Sequence, residues 1–519
     1  MLNNMNKISR LISQMQQPSF YPHAVMEKIK LVQTHASYVF LTGDYAYKLK
    51  KEVDLGFLDY STLAKRKHCI ETELRLNQKI APALYLEVLP ICQQDGQFAF
   101  GDEGEIVEYT LKMLAFPQSN RFDNLLEAGK LQSDRLTELG KIVAQFHLWA
   151  ITNDYISSFG TVAKIKPAFD ENYQQSQKYI GTLQTKEQLE ATQAYTDRFF
   201  SERENLFQAR IEQHKIKECH GDLHLKNICL WRDRIQLFDR IEFNQSFRFV
   251  DTMYDIAFIV MDLEARQKPD LNNAFLNSYL EYTGDWTGLL LLPLYLCRQA
   301  YVRAKVNSFL LDDSDVSKIE KQQAEATAKD YYRQAYQYTQ NKSGSLIMMS
   351  GLSGSGKSTV ARNIARQKGA IQIRSDAVRK HLAGIPVDES GSDEIYSAQM
   401  SQRTYDRLTE LGILLAKEGY LVILDAKYDR RDRRQKVISR AKAASIPLKI
   451  VFCTAPLSIL RDRLNRRQSD ISDAGADLID RQHANAEAFT AAEQDYLITI
   501  NTSLSNWAEI ESLCDRVQP

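Results

Sequence analysis

Two short stretches carry the residue types that chemistry on phosphates needs. Residues 351–358 read GLSGSGKS, a full match to G-x-x-x-x-G-K-[ST]. In that spacing Gly351, Gly354 and Gly356, with Ser355 between them, let the backbone turn its amides inward around phosphate oxygens. Lys357 then reaches the β- and γ-phosphates and the Ser358 hydroxyl ligates magnesium, with Thr359 beside it at the helix start. Residues 220–227 read HGDLHLKN, which sets Asp222 five positions before Asn227. An aspartate so placed can orient or deprotonate an acceptor hydroxyl, and the asparagine can serve a metal ion bridging ATP phosphates.

Around the glycine loop the chain supplies further parts for phosphoryl transfer. AIQIR (370–374) reads as a strand that ends in Ser375-Asp376, with Arg379 one helical turn later. Asp376 is placed to accept a proton from an acceptor hydroxyl and Arg379 to hold substrate or phosphate. The plainer reading makes Asp376 a cap on the helix AVRKHL. YLVILDA (420–426) is a buried-type strand ending in Asp425, which suits magnesium held through water; the alternative is a turn aspartate. LKIVFC (448–453) is a further strand, and the helix after it carries Arg461, Arg463, Arg466 and Arg467. Arg463 and Arg467 are the candidates for a lid closing over the phosphates, against the alternative of a solvated helix face. The tract Arg430–Lys436 reads as a solvated helix start rather than a nucleic-acid patch.

The elements around Asp222 can be placed by counting. If ICLW and RIQLFD pair across Arg232-Asp233, residues 231 and 234 are opposite each other. Asn227 then lies opposite Phe238 and next to Asp239, so an Asn and an Asp meet at one end of a hairpin beside Asp222. YVFLTGDYAYKLK (38–50) reads as two strands joined at Gly43-Asp44, and the second offers Lys48 for the α- and β-phosphates. Lys50 shares its face. The following helix, roughly 62–80, offers Glu71 and Glu73 to hold that lysine; Lys48 with Glu73 is the favoured pair. EYTLKM (108–113) would link two lobes and present backbone to adenine. A metal site of Cys219, His220 and His224 lacks a fourth ligand. His147 reads as a packed core histidine, and Asp255 as a helix aspartate tying down the catalytic segment.

These motifs carry two resemblances. Residues 345–519 resemble the small P-loop kinases related to gluconate kinase, chloramphenicol phosphotransferase, zeta toxin and the kinase domain of polynucleotide kinase, a group also described as AAA family ATPases. In those families the acidic residue after the second strand activates the acceptor hydroxyl, which falls on Asp376. Residues of about 30–310 resemble the aminoglycoside phosphotransferase-like branch of the protein-kinase-like fold, in which HGDLHxxN replaces HRD. Their pairing resembles bacterial two-domain phosphotransferase/ATP-binding fusions. The departure is THASYVFLTGD, with one glycine where protein kinases have GxGxxG. The resemblance implies α/β and α+β architecture: a bilobal protein-kinase-like domain at 1–340, then a P-loop NTPase domain at 341–519 with a parallel sheet flanked by helices. It also implies ATP and Mg2+ as cofactors.

Composition bounds the alternatives. A chain of 519 residues exceeds one ordinary core. Its 66 Lys plus Arg balance 66 Asp plus Glu, so no bulk charge recruits nucleic acid or a membrane. The seven cysteines are scattered and form no CxxC pair, which fits a reducing cytoplasm. QNKSGS (340–345) has linker composition, and no apolar run is long enough to span a bilayer. The leading expectation is two ATP sites, each phosphorylating a small-molecule hydroxyl. Behind it stand one working P-loop kinase with a degenerate recognition domain, a non-enzymatic ATP switch, and action on nucleic-acid ends or nucleotide-sugars. Acceptor identity and oligomeric state have no motif in this sequence.

Overall fold

The computed structural model describes residues 2–25, 28–56, 58–314, 316–466, 471 and 479–503. It divides into two compact units that interleave along the chain. The first comprises residues 1–131, 150–161 and 211–259, and the second residues 132–149, 162–210 and 260–519. The expected boundary at 340/341 falls within the second unit. No helix of the described residues is long and apolar enough to cross a membrane.

The first unit is built on a six-stranded antiparallel sheet. Its strands are β1 (Lys30–Gln33), β2 (Ser37–Leu41), β3 (Tyr45–Lys50), β4 (Tyr85–Gln94), β5 (Gln97–Phe100) and β6 (Glu105–Leu114), in the order β1-β2-β3-β6-β4-β5. Tyr38, Val39 and Phe40 of β2 and Tyr45 and Tyr47 of β3 are the aromatic and β-branched types that a half-buried pleated surface favours. Phe40, Tyr47, Leu49, Ile91 and Phe98 pack in one core with Leu11 and Met15 of helix α1 (Leu2–Met15). Helix α2 (Leu63–Asn77) starts at Thr62, whose hydroxyl accepts from Lys65 N, and buries Arg66, Ile70, Glu73, Leu76 and Asn77 at three- and four-residue steps. That periodicity is why Glu73 is inside while Glu71 sits on the exposed face beside Lys67.

Two two-stranded pieces also belong to this unit. Strands β7 (Ile216–Glu218) and β10 (Phe249–Asp251) pair, and β8 (Ile228–Trp231) forms a hairpin with β9 (Arg234–Leu237). Trp231 lies opposite Arg234 as the count requires, and Arg232 and Asp233 have φ of 47° and 61°, the left-handed pair of a two-residue hairpin turn. The expected connecting segment 108–113 is corrected: it lies inside β6, which pairs with β4 along its length and with β3 from Thr110 to Leu114, so it runs within the sheet rather than between two lobes.

The second unit combines a helical layer with a parallel sheet. Its longer helices in this layer are α3 (Ser133–Trp149), α4 (Val162–Ser176), α5 (Lys186–Glu202), α6 (Pro269–Thr283), α7 (Leu292–Asp312) and α8 (Lys318–Gln337). The sheet contains β11 (Ser345–Ser350), β12 (Ile371–Arg374), β13 (Leu421–Asp425), β14 (Leu448–Thr454) and β15 (Leu497–Asn501), in the order β12-β13-β11-β14-β15, all parallel. Helices α9 (Lys357–Lys368), α10 (Ser375–Ala383), α11 (Ala398–Lys417), α12 (Arg431–Ala443), α13 (Leu457–Asn465) and α14 (Ile479–Asn485) accompany it. Strand β11 is buried at every position, as a central strand covered on both faces must be. The expected fold class stands: antiparallel sheet and helices in the first unit, a P-loop sheet flanked by helices in the second.

The tract Arg430–Lys436 is not simply solvated. Arg434 is fully buried, and its Nε donates to Glu493 Oε1 at 2.8 Å. Burial alone would raise the Glu493 carboxyl, but hydrogen bonds from Arg434 and Thr490 hold it down to about 2. Because the folded value lies below the unfolded one, this contribution is complete above the ordinary glutamate range and is lost as pH falls toward 2. Arg434→Ala leaves a buried carboxylate without its counter-charge and is expected to cost about 3–5 kcal/mol, read as a lowered urea midpoint at neutral pH. The loss shrinks when the same comparison is made in acid.

Candidate active sites

The first site is assembled by β3, α2 and the β8–β9 hairpin. Lys48 projects from the centre of the sheet, between Val39 of β2 and Leu111 of β6. Its Nζ donates to Glu73 Oε1 and to Asp239 Oδ1, both at 2.7 Å. Glu73 is fully buried, and its second oxygen accepts from Lys50 Nζ at 2.5 Å. Lys50 in turn reaches Glu242 Oε1 at 2.5 Å, and the Tyr60 hydroxyl donates to the same oxygen at 2.5 Å. Burial works against the Lys48 ammonium, yet Asp239 and Glu73 hold it well above the usual lysine range. The protein around Asp239 disfavours its charge, but Lys48 brings the carboxyl down to about 2. Both groups are therefore ionised at neutral pH.

The hairpin delivers the rest. Phe238 N donates to Asn227 O at 3.0 Å, which places Asn227 beside Asp239. Asn227 Nδ2 donates to Asp222 O at 2.9 Å and to Asp222 Oδ2 at 3.2 Å. Its amide nitrogen is thus spent on Asp222, and Oδ1 is the atom it can offer a metal. Asp239 has φ of 63°, and Tyr85 OH accepts from its amide at 2.9 Å. A non-glycine residue in the left-handed region at a metal-type carboxylate is strain of the sort that collects at functional sites. Asp255 accepts from the backbone amides of His220 and Gly221, at 3.1 and 2.7 Å, and so ties down the segment that carries Asp222. His147 is buried, with Nδ1 2.9 Å from the Tyr279 hydroxyl. Cys219, His220 and His224 do not gather ligand atoms around one point among the described residues. Glu242 has no local signal in the sequence, and His224 stands beside the candidate base rather than at a metal, its Nε2 3.3 Å from Asp222 Oδ2.

The second site lies where β11 turns into α9. Gly351 has φ of 133°, and a Cβ there would come within 2.3 Å of the Cys453 carbonyl oxygen; at Gly354, with φ of 78°, it would come within 2.8 Å of the Leu460 carbonyl oxygen. No other residue type fits this loop. The Ser355 hydroxyl is buried with no hydrogen-bond partner, a polar atom in the cradle that a phosphate oxygen would satisfy. Gly356 is the left-handed N-cap of α9, and Lys357, Ser358 and Thr359 form its first turn. Lys357 Nζ donates to Leu352 O at 2.7 Å. Burial pulls the Lys357 ammonium below the usual lysine range, and Asp425 and Asp376 are among the groups that offset this. Asp425 ends β13, is 4% exposed, and accepts from Gln372 Nε2 at 2.8 Å. Asp376 sits in the first turn of α10, and the residue at the cap position is Arg374.

Two arginines differ from expectation. Arg379 is buried, and its guanidinium donates to Ile395 O at 2.9 Å and Ser401 Oγ at 3.3 Å, so it holds the 393–396 turn rather than reaching freely into the site. Arg463 donates to Gly354 O at 3.3 Å and to Thr502 Oγ1 and O at 2.9 and 2.6 Å; it clamps the glycine loop to the end of β15 instead of forming a lid. In each case backbone carbonyls unknown to the sequence claimed the fork of donors. Arg467 lies outside the described residues.

The two donor sets fit a magnesium nucleotide: oxygen ligands from Asp239 and Asn227 in one, Ser358 and Asp425 in the other, with a lysine for the phosphates in each. Residues 346–489 match the family model described as AAA domain. The uncharacterized protein Rv2004c of Mycobacterium tuberculosis is 29% identical over 474 residues, spanning 90% of this chain and 91% of its own length. Adenylyl-sulfate kinase of Chloroflexus aurantiacus is 33% identical over 129 residues, 24% of this chain and 62% of that protein. Among solved structures, the GDP complex of aminoglycoside 2'-phosphotransferase-IIIa is similar over 62% of this chain and 98% of its own, with 12% identity and a TM-score of 0.37. Site geometry and sequence likeness together support a phosphotransferase, an enzyme of the kinase class.

Proposed function

We propose that the chain is a bifunctional ATP-dependent phosphotransferase, each site moving the γ-phosphoryl group of ATP to a hydroxyl of a small molecule. The observation that carries this reading is that each unit holds its own phosphate-type lysine beside its own metal-type carboxylate: Lys48 with Asp239, and Lys357 with Asp425. Magnesium, when bound with the nucleotide, supplies charge neutralisation across the phosphates. Glu73 orients Lys48; Asp222 in the first site and Asp376 in the second accept the acceptor proton. We assign the first activity to the sequence 1–340 and the second to the glycine loop within 341–519, both acting in the cytoplasm.

Asp222→Asn is expected to lower transfer at the first site by at least about 100-fold, the usual worth of a positioned base, with nucleotide binding kept. Release of ADP in a screen of hydroxylated metabolites, compared between Asp222→Asn and Lys357→Ala, reads the two sites separately. Acceptor-dependent ADP release that neither substitution reduces contradicts the proposal. One observation favours a second reading, a single P-loop kinase with a recognition domain. Lys48 is bonded to two carboxylates at once, and the chain above it carries one glycine where a phosphate-covering loop would have three. Under that reading every acceptor-dependent signal disappears with Lys357→Ala alone.

A further inference from the structure

Strand β12 is the edge of the parallel sheet and is paired with β13 on one side only. Its other side is covered by side chains of α6. Asn277 Oδ1 accepts from Gln372 N at 2.8 Å while its Nδ2 donates to Ala370 O at 3.0 Å, and Asn273 Nδ2 donates to Ala370 O at 2.8 Å. One amide side chain thus offers the donor and acceptor that a neighbouring strand's peptide would offer. One turn further on the same face, Glu281 Oε2 lies 3.6 Å from Arg374 Nη1, and Arg374 Nε lies 4.0 Å from Asp425 Oδ2. The Glu281 carbonyl also meets the His381 ring at 2.8 Å, which fixes the end of α6 against α10.

We propose that Glu281 is a positioning residue for Asp425: it holds the Arg374 guanidinium off the carboxylate that binds magnesium at the P-loop site. This rests on the reading of Asp425 given above. A guanidinium and a metal ion compete for the same carboxylate lone pairs, and a guanidinium already within 4.0 Å needs only a small shift to form a direct contact. Glu281 supplies the opposing charge, and the Asn273 and Asn277 bonds to β12 set the distance at which it acts. The P-loop site is therefore completed by a helix lying some 70 to 80 residues before the glycine loop in sequence.

The test is calorimetric titration of AMPPNP over a series of Mg2+ concentrations on the full chain, in an Asp239→Asn background that weakens the first site so that the P-loop site dominates the titration. Glu281→Gln should raise the Mg2+ concentration for half-maximal analogue binding on the order of tenfold, the effect of one poorly screened charge beside the ion. Glu281→Asp, which keeps the charge, should stay close to wild type. Adding Arg374→Gln to Glu281→Gln should bring the Mg2+ dependence back, which no loss of packing would do. An unchanged Mg2+ dependence in Glu281→Gln, or a double variant no better than the single one, overturns the inference. If analogue binding in the background protein is insensitive to Lys357→Ala, the reading of the P-loop site fails first and the inference with it.

Discussion

Lys357→Ala is expected to reduce phosphoryl transfer at the P-loop site on the order of a thousandfold, at the upper end for one preorganised charge on a transferring group. The fold should survive. Lys357 Nζ makes its hydrogen bond to a single carbonyl, that of Leu352, and burial already disfavours its charge, so removing it takes no buried ion pair apart. The glycine loop keeps its shape through contacts that do not involve the lysine: Gly351 N to Lys427 O at 3.0 Å, and Arg463 and Thr502 bracing the Gly354–Ser355 backbone. Single-turnover transfer measured beside the urea midpoint separates the two effects. A large fall in both would mean that Lys357 is a structural residue.

Asp239→Asn is expected to weaken magnesium-nucleotide binding at the first site by at least about tenfold, because a charge-assisted contact is worth roughly 1.5–3 kcal/mol. It also removes one of the two carboxylates that hold Lys48 ionised, and Glu73 remains to keep the lysine in place. The loss should therefore appear in affinity for the magnesium complex, with little change in stability. Nucleotide binding in the absence of divalent ion should change least. Equal losses with and without magnesium would assign Asp239 to the lysine rather than to the metal.

Much of the first site could be read by counting. The hairpin register follows from two alternating apolar runs and a two-residue turn, so the meeting of Asn227 and Asp239 is fixed by local geometry. Helical periodicity puts Glu73, not Glu71, inside: Ile70, Glu73 and Leu76 share the buried face. The glycine loop needed only its spacing, because the close approach of Cys453 O and Leu460 O leaves no room for a side chain. Long flexible side chains were harder. Arg379, Arg434 and Arg463 each found partners 16 to 109 positions away, and nothing local distinguishes an arginine that braces backbone from one that faces phosphate. Glu242 closes the Lys50 network from 192 positions away, and Glu281 of α6 faces Arg374 at the end of β12; such contacts are set by tertiary packing and leave no periodic trace. The segment 108–113 reads as a connection for a related reason, since an apolar-polar strand looks the same in sequence whether it ends a sheet or lies within it.

The central claim is that one chain carries two magnesium-nucleotide sites. Its most direct test is the stoichiometry of Mg2+-AMPPNP binding to the intact protein by calorimetry, with Lys357→Ala and Asp239→Asn measured alongside. Two sites, one lost with each substitution, is the predicted result. A single site abolished by Lys357→Ala and untouched by Asp239→Asn would contradict it.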